Sequence, residues 1–239
     1  MASISPHTAD APKRIEIEED GPYIVHGDVP LVRKQQVVSE YGEPLACTKG
    51  DEISATAPYR LCRCGQSSDK PFCDSTHLEI MFDGHESADT LPTVERQIVY
   101  PGTTGIIVRR DYTLCTEAGF CGTRSAAIEE LVGHTDDVQV RAQVMAMIER
   151  CPSGSLTYAL EEGGANVEPD LPAQIAVTTE ITSDGPIAGP LWVTGSILIE
   201  RADGQQFEVR PRVTLCCCGR SKIKPLCDGA HRTSGDTAA

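Results

Sequence analysis

The chain has 239 residues, enough for one large domain or two to three small ones. Its formal net charge of −14 argues against nucleic acid as a partner, because binding phosphates requires a basic face. Hydrophobic residues make up 40% of the chain but aromatic ones only 5%, beside 21 Gly and 16 Pro. That mix predicts short strands, many turns and a core stapled by something besides large side chains.

In chain order, the opening MASISPHTADAPKRIEIEED holds no apolar leader core, and residues 1–19 are expected to be disordered. GPYIVHGDVPL, from Gly21 to Leu31, reads as a strand with apolar alternation that breaks at a glycine and resumes. A connection containing CTKGDEISATAP leads into LCRCGQSSDKPFCDSTH at residues 61–77. TTGIIVRRDYTLC then reads as a strand entering a cysteine loop, and RSAAIEELVG and DDVQVRAQVMAMIERC read as two helices. In the second helix Val140, Val144, Met147, Ile148 and Cys151 share one face, while Asp136 and Asp137 suit its first turn. SLTYALE resumes strand character, and GGANVEPDLP opens a linker expected over 163–183.

The beginning then repeats. GPLWVTGSILI, from Gly189 to Ile199, aligns without gaps on Gly21 to Leu31, and LCCCGRSKIKPLCDGAH at 215–231 repeats the first cysteine stretch. Gly21 lies 41 residues before Cys62 and Gly189 lies 27 before Cys216, so the first copy carries 14 extra residues, expected as a longer connection. Residues 234–239 read as a disordered tail. The best apolar run, IAGPLWVTGSILI, is too short and too broken to span a bilayer, so no membrane is expected as a partner.

Both cysteine stretches run C-x-C-G-x-S-x-x-K-P-x-C-D-x-x-H with no insertion. Core packing does not demand such a register, since buried apolar positions tolerate swaps of similar volume. A metal does, because its ligands must meet at fixed bond lengths. The chain has eleven cysteines and no export signal, which places it in a reducing cytoplasm, where clustered cysteines bind metal more often than they pair. One residue between two cysteines is tight for a single zinc ion and better suits a diamond-shaped [2Fe–2S] core with one ligand pair per iron. Gly219, Pro225 and Gly229 would bend the second loop. Ser221, like Ser67 in the first copy, could donate to a cluster sulfur or thiolate. Asp228, like Asp74, could cap the turn that carries the histidine.

These residues resemble the CDGSH iron–sulfur domain, whose pattern is C-x-C-x-x-(S/T)-x-x-x-P-x-C-D-G-(S/A/T)-H. The resemblance implies one [2Fe–2S] cluster on Cys62, Cys64, Cys73 and His77 and another on Cys216, Cys218, Cys227 and His231. The first copy departs at Ser75, where the family has Gly; a positive φ there would cost something without removing a ligand. Cys217, inside the second C-x-C pair, is not a family ligand. Family members are typically homodimers with an intertwined β-cap, so the duplication implies a chain that builds such a pseudo-dimer from its own halves, as a monomer or as a homodimer. In the middle, Cys115, Cys121 and Cys151, the last followed by Pro152, resemble three-cysteine ferredoxins and the divergent single-cluster [4Fe–4S] domain. They imply a third cluster, [3Fe–4S] or [4Fe–4S], against the alternative of buried structural thiols. Ala118 replaces a ferredoxin ligand, and a fourth ligand would have to be Glu117 or solvent.

The fold class expected is α+β, mainly β, with two small β-rich CDGSH units forming a pseudo-dimer β-cap around a central ferredoxin-like α+β insert. The divisions expected are unit one at 20–85, the insert at 86–162 and unit two at 184–233. The leading functional reading is a non-enzymatic iron–sulfur protein that moves electrons to a redox partner or donates clusters to an apo-protein. A zinc-stabilised interaction module and a redox or iron sensor, with Cys217 as its reactive thiol, are the alternatives. No phosphate loop, dinucleotide fingerprint or nucleophile motif supports an enzyme.

Overall fold

The computed structural model describes residues 12–233. The first half contributes β1 (Arg14–Ile17), β2 (Tyr23–His26), β3 (Leu31–Val38), β4 (Pro44–Ile53) and β5 (Tyr59–Leu61). After the first cysteine loop come α1 (Thr76–Glu79) and α2 (Thr93–Arg96). The middle segment follows as β6 (Ile98–Pro101), β7 (Ile107–Arg110), α3 (Ile128–Leu131), α4 (Val138–Glu149) and β8 (Leu156–Ala159). The second half is β9 (Gln174–Thr182), β10 (Gly185–Thr194), β11 (Leu198–Glu200) and β12 (Arg212–Leu215). The chain is mainly β, as composition and turn frequency predict.

The two halves exchange strands about a pseudo-twofold axis. One sheet runs β5-β2-β1-β11 and the other β12-β10-β9-β3-β4. Tyr23 pairs with Leu61 in the first, and its repeat equivalent Leu191 pairs with Leu215 in the second. Ile15 on β1 lies parallel to Ile199 on β11, and Ile175 on β9 lies parallel to Leu31 on β3. The first sheet therefore borrows β11 from the second half, and the second sheet borrows β3, with β4 beside it, from the first. The exchange follows from burial: Ile15, Ile17, Val25, Leu31, Leu61, Ile175, Val193, Ile199 and Leu215 form one apolar core that neither half could close alone. The intertwined cap implied by the repeat is thus present within a single chain.

Three sequence expectations change. Residues 14–17, assigned to a disordered start, form β1, because Ile15 and Ile17 alternate into the core; residues 1–11 and the tail 234–239 lie outside the described residues. The linker expected over 163–183 contains β9, which is central in its sheet. The 14 extra residues of the first copy supply β4, hairpinned onto β3 as the one strand without a counterpart.

The middle segment has its own core of Ile106, Val108, Ile128, Val132, Val144, Met147, Ile148, Leu156 and Tyr158. Its long helix forms as the pattern predicts: Asp137 accepts from the Gln139 and Val140 amides at the N-terminus, and Val144, Met147 and Ile148 face inward. RSAAIEELVG yields only the single turn of α3 and a 3-10 turn over Val132–His134. The segment is tied to the second half by Arg212, which is 1% exposed. Its guanidinium donates to the carbonyls of Ile148, Glu149 and Leu156 at 3.1, 2.6 and 3.3 Å and pairs with Glu168. Two of those carbonyls end α4, where backbone acceptors lack helical partners and a cation is favoured.

Candidate metal centres

Each cysteine loop opens from the end of an edge strand, β5 or β12, and folds back on itself in the same way. The amides of Cys62 and Cys216 donate at 2.8 Å to Pro71 and Pro225, and those of Cys73 and Cys227 donate at 3.0 Å to Arg60 and Thr214. Asp74 accepts from the Ser68 and Thr76 amides at 2.8 and 3.0 Å, and Asp228 accepts from Lys222 and Ala230 at the same distances. These bonds, the Thr76 hydroxyl first, hold the Asp74 carboxyl well below the usual carboxylate range. Asp74 and Asp228 thus act as expected, fixing the turn that presents each histidine. The serines do not: Ser67 and Ser221 donate to the carbonyls of Phe72 and Leu226 at 2.7 and 2.6 Å. Their hydroxyls close the loop, and amides face the sulfurs instead, Ser75 on Cys73 at 3.4 Å and Gly229 on Cys227 at 3.5 Å.

The loops meet at the pseudo-twofold axis. Gly65 and Gly219 have φ of +78° and +77°, and a Cβ on either would lie 2.5 or 2.4 Å from the carbonyl oxygen of Cys218 or Cys64 across the axis. Only glycine satisfies both the left-handed backbone and this approach.

The donors come as matched pairs. Cys62 Sγ and Cys64 Sγ are 3.8 Å apart, and Cys216 Sγ and Cys218 Sγ 3.7 Å. Cys73 Sγ and Cys227 Sγ each lie 3.4 Å from Nδ1 of His77 and His231. A tetrahedral metal with bonds of about 2.3 Å to sulfur and 2.0 Å to nitrogen separates two thiolates by about 3.8 Å, and a thiolate from an imidazole nitrogen by about 3.5 Å. Each pair fits one metal. Among the described residues, no three His, Cys, Asp or Glu side chains converge on a single ion position. Without metal, burial pushes Cys64 up to about 11 and Cys227 up to about 12, which favours the thiol at both. Cys216 is the exception, held down to about 6 by the hydrogen bond it shares with Cys218, which is driven up in turn.

Inside each C-x-C pair the intervening residue faces the same backbone acceptor. Arg63, 2% exposed, donates to Gly21 O at 3.3 Å and to the carbonyls of Glu18 and Gly84. Cys217 donates at 3.2 Å to Gly189 O, the repeat equivalent of Gly21. Burial drives the Cys217 thiol far above its ordinary value, which favours the thiol over the thiolate there.

The surroundings differ more than the loops. His231 Nε2 lies 3.0 Å from Oε2 of Glu180 on β9, and that oxygen also takes Arg232 Nη2 at 2.7 Å. Arg232 Nη1 donates at 2.6 Å to the carbonyl of Thr116, beside Cys115. A carboxylate on the outer nitrogen of a ligating histidine fixes its tautomer and ring plane. His77 has no such carboxylate among the described residues. Sequence reading missed Glu180, which lies 51 residues from His231 and carries no local signal. It also passed over Arg232, although the difference from Leu78 at the matching position was visible.

Cys115, Cys121 and Cys151 line one cavity with Arg110 and Glu117. Arg110 is buried, pairs with Glu129, lies 4.0 Å from Cys115 Sγ and leaves its Nε without a partner. A buried cation with an unmet donor beside three thiols fits an anionic iron–sulfur group. Burial pushes the Cys121 thiol up, as at the paired sites. Cys47 sits apart on β4.

Family comparisons match residues 20–78 and 188–232 to the iron-binding zinc finger CDGSH type, and residues 102–161 to the divergent 4Fe-4S mono-cluster. Neither a curated protein nor a solved structure matches the chain. Among the described residues, no helix is long and apolar enough to cross a membrane. The chain is therefore an iron–sulfur protein in which two CDGSH-type segments flank a divergent, ferredoxin-like mono-cluster segment.

Proposed function

We propose that the chain holds two [2Fe–2S] clusters, on Cys62, Cys64, Cys73 and His77 and on Cys216, Cys218, Cys227 and His231. It uses them to pass electrons to a redox partner or clusters to an apo-protein. The observation that carries this reading is the pairing of donors, twice over, at spacings that suit one tetrahedral metal per pair. Four donors around a single zinc would converge, and these do not. When bound, the clusters supply one-electron redox chemistry. The chain's own residues keep the ligands paired, bury Cys62, Cys64 and Cys216 and, at Glu180, orient an imidazole. A third cluster on Cys115, Cys121 and Cys151 is supported by the shared cavity and by Arg110, with Glu117 on the cavity wall as its candidate fourth ligand.

The test is iron, acid-labile sulfide and zinc per chain on anaerobically purified protein, with the visible spectrum of the same sample. About four iron and four sulfide are expected from the paired sites alone, and seven or eight iron with the middle site filled. About two zinc and no colour would replace this reading with a zinc-stabilised interaction module.

A further inference from the structure

The residue after each histidine occupies the same place in the repeat but a different environment. Arg232 reaches both the Glu180 carboxylate and the Thr116 carbonyl, so the second site is bracketed by β9 and covered by the Cys115 loop. Leu78, its counterpart, is 71% exposed and is followed by exposed Ile80 and Met81. Cys227 is buried where Cys73 is half-buried. Gly229 packs against Thr116 O, whereas Ser75 faces solvent. His231 is held at both ring nitrogens, while among the described residues His77 is held only on its Cys73 side.

Building on the reading that each loop carries a [2Fe–2S] cluster, we propose that the two sites divide the work. The first hands its cluster to an acceptor protein, which seats on the exposed face of Leu78, Ile80 and Met81; at the second site the place of Leu78 is taken by Arg232, bonded to the Cys115 loop. The second keeps its cluster. Exchange requires an incoming thiolate to reach an iron and the outgoing imidazole to swing away. His77, although only 7% exposed, has no outer carboxylate among the described residues to restrain it, and the exposed apolar side chains give an acceptor a surface to bury. At the second site Glu180 and Arg232 restrain the ring, and the Cys115 loop blocks approach. The cargo moves whole: four acceptor thiolates replace three cysteine thiolates and one neutral imidazole. The acceptor sheds four protons, the freed cysteines take up three, and the fourth goes to solvent or to His77. No electron changes hands.

The test uses the full-length holoprotein, its iron and sulfide already counted, mixed with an excess of an apo plant-type [2Fe–2S] ferredoxin and followed by visible circular dichroism. Two phases are expected, the second at least about tenfold slower, as the loss of such outer partners elsewhere suggests. Glu180→Ala and Arg232→Leu should speed the slow phase and leave the fast one unchanged. Glu180→Gln, which keeps an acceptor for His231 and the same shape, should fall between. His77→Cys should slow the fast phase alone. A single phase, no transfer from either site, or acceleration of both phases by the Glu180 and Arg232 variants would overturn the division. Zinc without colour in the initial count would instead remove the reading on which it stands.

Discussion

The two cysteine loops carry the same ligand pattern, fold through the same hydrogen bonds and hold their donor pairs within 0.1 Å of one another, yet they live in different surroundings. The first ends in an exposed apolar turn. The second ends in an arginine that ties it to a buried glutamate and to a neighbouring cysteine loop. Local sequence therefore builds the ligand set, and partners brought from elsewhere in the chain decide how tightly it is held. A duplicated chain can vary those partners independently, which a symmetric homodimer cannot do.

The largest effect should come from what makes the halves unequal. Arg212 occupies the position of Pro58 in the first half and ties the middle segment's helix end to β12. Arg212→Met leaves buried carbonyls and Glu168 without their cation and should cost about 3–5 kcal/mol. In denaturant unfolding, the middle segment should separate from the cap as an earlier transition; a single unchanged transition would show that Arg212 does not couple them.

What makes the halves equal comes next. Gly65→Ala and Gly219→Ala each drive a Cβ into the opposite loop's carbonyl at a left-handed backbone. Each should cost about 3 kcal/mol, and the two losses should agree within about 1 kcal/mol. Unfolding midpoints that differ widely would break the pseudo-symmetry.

Gly229 and Ser75 probe the same position on the two sides. Both have positive φ, +86° and +73°, but a Cβ at 229 meets Arg232 and Thr116 O at 2.9 and 3.1 Å. Gly229→Ser should destabilise by about 2 kcal/mol, from strain and crowding together. Ser75→Gly should relieve strain and stabilise by up to about 1 kcal/mol, the chain-entropy loss of glycine offsetting part of the gain. Thermal unfolding of the holoprotein measures both.

The smallest contrast is in proton release. Cys64 near 11 and Cys227 near 12 are thiols at neutral pH and thiolates once metal binds, so binding expels a proton at each. Affinity therefore falls as pH falls: cobalt titrations of apo-protein should weaken by about tenfold per pH unit for each proton displaced between pH 8 and 6. A pH-independent affinity would mean that the thiols are already ionised.

Much of this was legible from spacing, because spacing is what a metal constrains. The sixteen-residue register disclosed two cysteine loops that fold alike and pair the same donors. The gapless match of Gly21–Leu31 with Gly189–Ile199 disclosed the two-unit cap, and the face of Val144, Met147 and Ile148 disclosed α4. β1, β4, β6 and β9 escaped notice, and for β1 and β9 one of the two partners lies far along the chain: Ile15 looks like part of a charged tail until Ile199 lies beside it. Ser67 and Ser221 misled for a related reason, since a hydroxyl near a thiolate in sequence turns toward whichever acceptor the loop's fold brings closest.

The amino-acid sequence by itself determined which atoms can bind metal and that they come twice, since donor type and loop length are local properties. Only the tertiary structure decided that the halves exchange strands, that Glu180 stands behind His231 with no such carboxylate behind His77 among the described residues, and that the middle segment leans on the second site. Those outcomes depend on where apolar surface and buried charge find partners across more than a hundred residues, and no short window of sequence encodes that choice.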